Sequence, residues 1–214
     1  MKKAVLFDMD GTLVKTEIIL EEALSITLKS LDRNDIKYID NPIEKYNEIM
    51  GVPLNVVWRN ILSKPSDHHI HMANRWFQNA LIYCIGEGKS KMYEGAEDTL
   101  EYIKSKGYEI FIASNGDKDY LEALYQNHHM ERFITGVYSI NDIETSSKSD
   151  LVKHIIQEEQ VAPEYIVGDR LSDFIAGKNN DIHVIGCKFY FSKPDELIEA
   201  DDVIESLGEL KKII

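Results

Sequence analysis

Among 214 residues, 37 acidic side chains face 24 basic ones, and the formal net charge of −13 opposes general attraction to nucleic acid or to an anionic membrane surface. The length suits one α/β domain carrying an insertion and is short for two large independent domains. Cys84 and Cys187 are the only cysteines, far apart and outside any Cys-x-x-Cys spacing, which indicates neither a disulfide framework nor a zinc site.

The chain opens on a short apolar run, residues 4–7, that reads as a buried strand, and Asp8-Met9-Asp10-Gly11-Thr12 follows directly. Two carboxylates two residues apart thus stand where a strand breaks into a turn, and Gly11 supplies the backbone freedom for it. The lysines at the start run into Asp8 and Asp10 before any apolar stretch of signal length, and no segment approaches the roughly 20 apolar residues of a membrane span. A cytoplasmic protein without membrane or nucleic-acid partners is therefore expected.

From residue 16 to 85 the pattern changes to an all-helical one. Ile19, Leu20, Ala23, Leu24, Ile26, Thr27 and Leu31 recur at helical spacing, and further helices are predicted over 43–50, 54–62 and 67–85. Gly51-Val52-Pro53 and Lys64-Pro65-Ser66 break them. Val14-Lys15-Thr16 and the polar run Gly86 to Lys91 serve as hinges. After Met92 helices and strands alternate: a helix over 95–106 ending at Gly107, a strand over 108–113, a helix over 121–128, a strand over 136–140, a helix over 149–159, a strand over 165–167, a helix over 172–179, a strand over 183–185, then a short strand over 202–204 and a final helix. Such βα alternation predicts a doubly wound, mostly parallel sheet. The expected domains are an α/β core from 1–15 and 89–214 and an inserted helical domain over 16–88.

In a parallel sheet the residues just after each strand share one edge, the edge where open α/β sheets bind ligands. Reactive groups cluster there: Asp8 and Asp10, then Ser114-Asn115-Gly116, then Lys148 at a helix start, then Gly168-Asp169 and Asp173. A carboxylate at the end of the first strand is placed as a phosphotransfer nucleophile.

The ordered set Asp8-x-Asp10-Gly11-Thr12, Ser114-Asn115, Lys148 and Gly168-Asp169-x-x-x-Asp173 resembles the four motifs of the haloacid dehalogenase superfamily of phosphohydrolases. The insertion resembles that family's small helical cap, and residues 148–180 resemble phosphoglycolate-phosphatase-like members. The resemblance implies a Rossmann-like core and a Mg²⁺-dependent phosphatase of a small phosphorylated metabolite, with Asp8 as nucleophile and Asp10 as acid and base. It further implies Ser114, Asn115 and Lys148 as phosphate contacts and Asp8, Asp10, Asp169 and Asp173 at the metal. Repulsion explains the need for a dication: two carboxylates about 4 Å apart at an effective dielectric near 20 repel by roughly 4 kcal/mol.

Lys15 and Arg75 are the hinge and insertion cations expected to touch substrate, although many members carry Asp where Lys15 stands. Arg170 is open between surface and site. The His68, His69 and His71 cluster reads as a solvated helix start, and Trp76, Phe77 and Tyr83 as helix packing. Alternatives are a 5′-nucleotidase, a catalytically idle binding protein, and a phosphomutase, which Leu20 and Leu54 disfavour because they stand where β-phosphoglucomutases carry His and Arg. A monomer or weak homodimer is expected.

Overall fold

The computed structural model describes residues 1–49, 54–145 and 147–214. Contacts divide the chain into two compact units, Met1–Thr16 with Ser90–Ile214, and Glu17–Lys89.

The first unit is built on a six-stranded sheet among the described residues: β1 (Lys2–Phe7), β2 (Glu109–Ser114), β3 (Gly136–Ser139), β4 (Val161–Gly168), β5 (His183–Cys187) and β6 (Asp202–Ile204). All neighbours pair in parallel, in the order β3-β2-β1-β4-β5-β6. Residues 4–7 are fully buried, which is why β1 reads as an unbroken apolar run: helices cover both faces of a parallel sheet. Ala4, Leu6, Phe111, Ala113, Ile166 and Val184 point to one face. There they pack against Leu151, Val152 and Ile155 of α7 (Lys148–Glu159) and Phe174 of α8 (Leu171–Asn179). Helix α5 (Ala96–Ser105) packs against β2 with Leu100 and Ile103 buried. Helix α6 (Lys118–Asn127) joins β2 to β3, and α9 (Pro194–Leu197) joins β5 to β6.

The strand order places β1 between β2, the next strand in the chain, and β4, reached only after the chain has returned across the sheet. That reversal is the topological switch point where such sheets open a crevice beyond their carboxyl ends. Asp8 N–H donates to the Val167 carbonyl at 2.9 Å, so the residues that follow β1 and β4 leave the sheet side by side.

Some elements differ from the sequence pattern. β4 begins at Val161 rather than 165, because its pairing with β1 shifts between Ala4 and Val5, and Pro163 and Glu164 fall in that irregularity; a bulge is where a strand tolerates proline. Helix α6 starts at Lys118, set by Asp117, whose carboxylate accepts from Asp119 N–H. The tail after β6 is a 3₁₀ segment, Leu207–Lys212, instead of an α-helix; Leu207 and Leu210 are both buried, and a three-residue spacing aligns them on a 3₁₀ turn.

The second unit holds α1 (Glu17–Arg33), α2 (Pro42–Glu48), α3 (Leu54–Ile61) and α4 (Asp67–Gly86). Helix α1 packs chiefly along α4. Phe77 of α4 meets Trp58 of α3 edge-on and Tyr46 of α2 at a tilt, each with centroids 5.7 Å apart. The predicted end of the second helix at Met50 and the break at Gly51, Val52 and Pro53 lie outside the described residues. Among the described residues no helix is long and apolar enough to cross a membrane.

Candidate active site

Asp8 follows β1, Asp169 follows β4, Asp173 lies in the first turn of α8, and Lys148 is the first residue of α7. The switch point gathers them: one carboxylate oxygen from each of Asp8, Asp169 and Asp173 lies within 4.8 Å of the others, and all three residues are buried. The Lys148 ammonium, only 3% exposed, donates to Asp8 Oδ1 at 2.7 Å and also pairs with Asp173.

Two glycines make this density possible. Gly11 sits at φ +73, and a Cβ there would lie 2.6 Å from Asp169 Oδ2 and 2.7 Å from the Phe191 ring. A Cβ on Gly168 would lie 2.3 Å from the Asp173 carboxyl, so Asp173 folds back over β4 only because that side chain is absent. Once there, its Oδ2 accepts from Arg170 N–H at 3.0 Å, closing the first turn of α8.

One buried ammonium does not balance three buried carboxylates. Burial first, then Asp173 and Asp10, push Asp8 up to about 7 despite Lys148. Asp169 is pushed up to about 8 by burial and then by Asp8 and Asp173, against the Thr12 hydrogen bond and Lys148. Burial alone would depress Lys148, yet Asp173 and Asp8 outweigh it and hold the ammonium above its usual range. Thr12 Oγ1 donates to Asp169 Oδ1 at 3.1 Å, while Asp169 Oδ2 is buried with no hydrogen-bond partner. An all-oxygen donor set with an orphaned carboxylate oxygen fits a hard divalent cation such as Mg²⁺.

Asp10 belongs to a different set of contacts. Its Oδ1 accepts from Thr16 Oγ1 and from the Tyr120 phenol, each at 2.5 Å, and Asp10 is not in the converging trio. Burial raises its carboxyl above the usual value, with Thr16 and Tyr120 pulling the other way. Ser114, 1% exposed, ends β2 beside β1, and its Oγ accepts from Gly116 N–H at 3.0 Å. Asn115 follows at the exposed surface.

Lys15 lies over the Tyr93 ring, 5.3 Å from its centroid, and Arg75 is exposed on α4. Arg170 is held by Glu196 of α9, with Nε to Oε2 at 3.0 Å and a second bond at 3.3 Å, and the same carboxylate takes Leu171 N–H at 2.9 Å. Of the three histidines, His68 and His71 are exposed and His69 half-buried on α4; they form no metal-type cluster among the described residues. Thr16, Tyr120 and Glu196 carry no sequence signal for these contacts, whereas Thr12 stands inside the first motif.

A family model described as haloacid dehalogenase-like hydrolase matches residues 5–187. The chain belongs to that family. A 5′-nucleotidase from Pseudomonas aeruginosa is 21% identical over 197 residues, covering 90% of this chain and 86% of the relative. A phosphoglycolate phosphatase from Aquifex aeolicus is 28% identical over 182 residues, covering 82% and 80%. Among solved structures, CbbY from Rhodobacter sphaeroides in complex with phosphate superposes with a TM-score of 0.81 at 20% identity, over 98% of this chain and 96% of that one, a likeness of fold. This haloacid dehalogenase-like hydrolase thus places its buried acidic trio at the one point of the sheet where two non-consecutive strands open side by side.

Proposed function

We propose that the chain is a Mg²⁺-dependent phosphatase that hydrolyses a small phosphate monoester through a covalent aspartyl-phosphate on Asp8. The observation that carries this reading is the burial of Asp8, Asp169 and Asp173 around the Lys148 ammonium at the switch point of the sheet. An Asp8 oxygen forms a bond to phosphorus as the bond to the ester oxygen breaks, and Asp10 gives that oxygen its proton. Water then attacks the same phosphorus while Asp10 takes its proton; the bond to Asp8 breaks, and inorganic phosphate leaves with the carboxylate regenerated. Lys148, the Ser114 hydroxyl and the Asn115 N–H serve the phosphoryl oxygens as charge and hydrogen-bond donors. Asp8, Asp169 and Asp173 would hold a Mg²⁺ ion, which would supply positive charge to the phosphoryl oxygens and offset the carboxylates.

Substrate selection is assigned to the helical unit as the cap, with Lys15 and Arg75 as the first cations to test. Phosphoglycolate is the first substrate to try, in keeping with the relatives of that name. A 5′-nucleotide is the second, favoured by the Pseudomonas aeruginosa relative.

The decisive experiment is release of phosphate from p-nitrophenyl phosphate and from a panel containing phosphoglycolate and nucleoside 5′-phosphates, with Mg²⁺ and with chelator. Metal-dependent release is expected, and Asp8→Asn is expected to lower kcat by about 10³-fold or more while leaving the fold intact. An Asp8→Asn enzyme that keeps a substantial fraction of activity would overturn the assignment. Isomerised sugar phosphate without net phosphate release would point to a mutase instead.

A further inference from the structure

We propose that Tyr120 is a positioning residue for the reaction, acting through Asp10; this rests on the phosphatase reading above. Tyr120 is the third residue of α6, whose first turn is set by the Asp117 cap. It is 4% exposed, and its phenol crosses from the helix after β2 to the loop after β1, a separation of 110 residues in the chain, to reach Asp10 Oδ1 at 2.5 Å. Thr16 Oγ1 donates to that same oxygen at 2.5 Å.

Two donors on one oxygen fix the plane of a carboxylate far better than one, because a single hydrogen bond leaves it free to swing about its acceptor. With Oδ1 held, Oδ2 is the oxygen that carries the proton to the departing alcohol and takes it back from water. The two donors come from different elements, Thr16 from the end of the first-motif segment and Tyr120 from α6, so the hold does not depend on one loop. In this geometry the phenol O–H is the donor and Asp10 Oδ1 the acceptor. Misplacement of a proton-transfer group by a fraction of an ångström to an ångström is costly in rate.

The role predicts a dependence on the leaving group. Expulsion of an alkoxide needs the proton from Asp10, whereas p-nitrophenolate leaves without one. kcat/KM reports every step up to departure of the leaving group, so it separates this proton transfer from the later attack of water. Tyr120→Phe removes the donor and keeps the buried ring. It is expected to lower kcat/KM for an alkyl phosphate such as phosphoglycolate by about 10-fold or more and to change that for p-nitrophenyl phosphate by less than about 3-fold. Any loss of kcat on p-nitrophenyl phosphate should be matched by a fall in KM, because the later attack of water, which Asp10 also serves, slows while kcat/KM holds.

A double-mutant cycle with Asp10→Asn completes the test. If Tyr120 works through Asp10, adding Tyr120→Phe to Asp10→Asn costs nothing further. Equal losses on both substrates, or a full additional loss in the Asp10→Asn background, would mean that Tyr120 acts as packing and would overturn the proposal. Activity surviving in Asp8→Asn would instead overturn the phosphatase reading itself, so the two failures are distinguishable.

Discussion

Gly11 shows how a single missing Cβ sets the site. Its φ of +73 and the 2.6 Å approach to Asp169 Oδ2 mean that Gly11→Ala meets two separate penalties. The left-handed backbone costs about 1–2 kcal/mol for a residue with a Cβ, and the overlap with Asp169 and Phe191 adds about 1–3 kcal/mol. Gly107, at φ +85 with nothing within 4 Å of its Cβ position, separates the two. Gly107→Ala should lower the unfolding free energy by the backbone penalty alone and leave the Mg²⁺ concentration for half-maximal activity unchanged. Gly11→Ala should lower stability further and raise that concentration, since the orphaned Asp169 oxygen is what its Cβ displaces. Chemical denaturation and Mg²⁺ titration of activity measure the two effects, and identical Mg²⁺ requirements in the two variants would contradict the account. The meeting of Asp8, Lys148 and Asp169 is legible in the sequence because each lies just after a strand or at a helix start, where a parallel sheet collects its polar groups. The hydroxyls on Asp10 are not legible, since Tyr120 stands just ahead of the helix predicted over 121–128 and meets Asp10 only through the longer α6 of the fold. The three histidines, by contrast, stood out in the sequence and converge on nothing, because two of them point to solvent from the start of α4.

At the scale of elements, a similar division separates what local pattern encodes from what pairing decides. β1, β2 and β5 were readable as apolar runs because both faces are covered, and the helices α1, α3, α4 and α7 from their period. The first half of β4 was hidden, since Pro163 and Glu164 break the apolar run and are accommodated only by the shifted register with β1. The four-residue α9 was also missed, being too short for any period. Yet it carries Glu196, whose burial is outweighed by Arg170 and the Leu171 N–H, so that its carboxyl stays below the usual range. In the helical unit, Phe77 is 1% exposed and joins α2, α3 and α4 through Tyr46 and Trp58. Phe77→Ala leaves a cavity between three helices and should cost about 3–5 kcal/mol. Urea unfolding followed by tryptophan fluorescence reads this directly, Trp58 being the neighbour that loses its edge contact. A loss under about 1 kcal/mol would mean that the three helices close over the gap, which a well-packed core does only in part.

For the molecule as a whole, the buried acidic cluster ties stability to pH and to the cation. Asp8 and Asp169 rise from 3.8 to about 7 and about 8 on folding, so between those limits the native state binds more protons than the unfolded chain. Stability therefore falls as pH rises. The contribution is complete below the ordinary carboxylate value and is gone once pH passes the folded values. His128 has the opposite sense: burial lowers its value, so its contribution is lost as pH falls through the ordinary 6.5. From pH 6.5 to 9 the carboxylates lower stability as pH rises, while His128 adds an opposing rise at the lower end of that range. Without divalent cation, Tm should decline across that range, most steeply at its lower end, and level off toward pH 9. With saturating Mg²⁺ the ionised native cluster is the form that binds, and stabilisation grows as RT ln(1 + [Mg²⁺]/Kd), with Kd falling as proton competition is removed. The Mg²⁺-induced gain in Tm should accordingly be larger at pH 8.5 than at pH 6.5. Asp169→Asn removes one of the two raised carboxyls and the orphaned oxygen together, so it should flatten the metal-free decline and abolish most of the gain. A Mg²⁺ gain independent of pH in the unaltered protein would show that the cation binds somewhere other than this cluster, because binding here cannot proceed without displacing the protons that burial keeps on it.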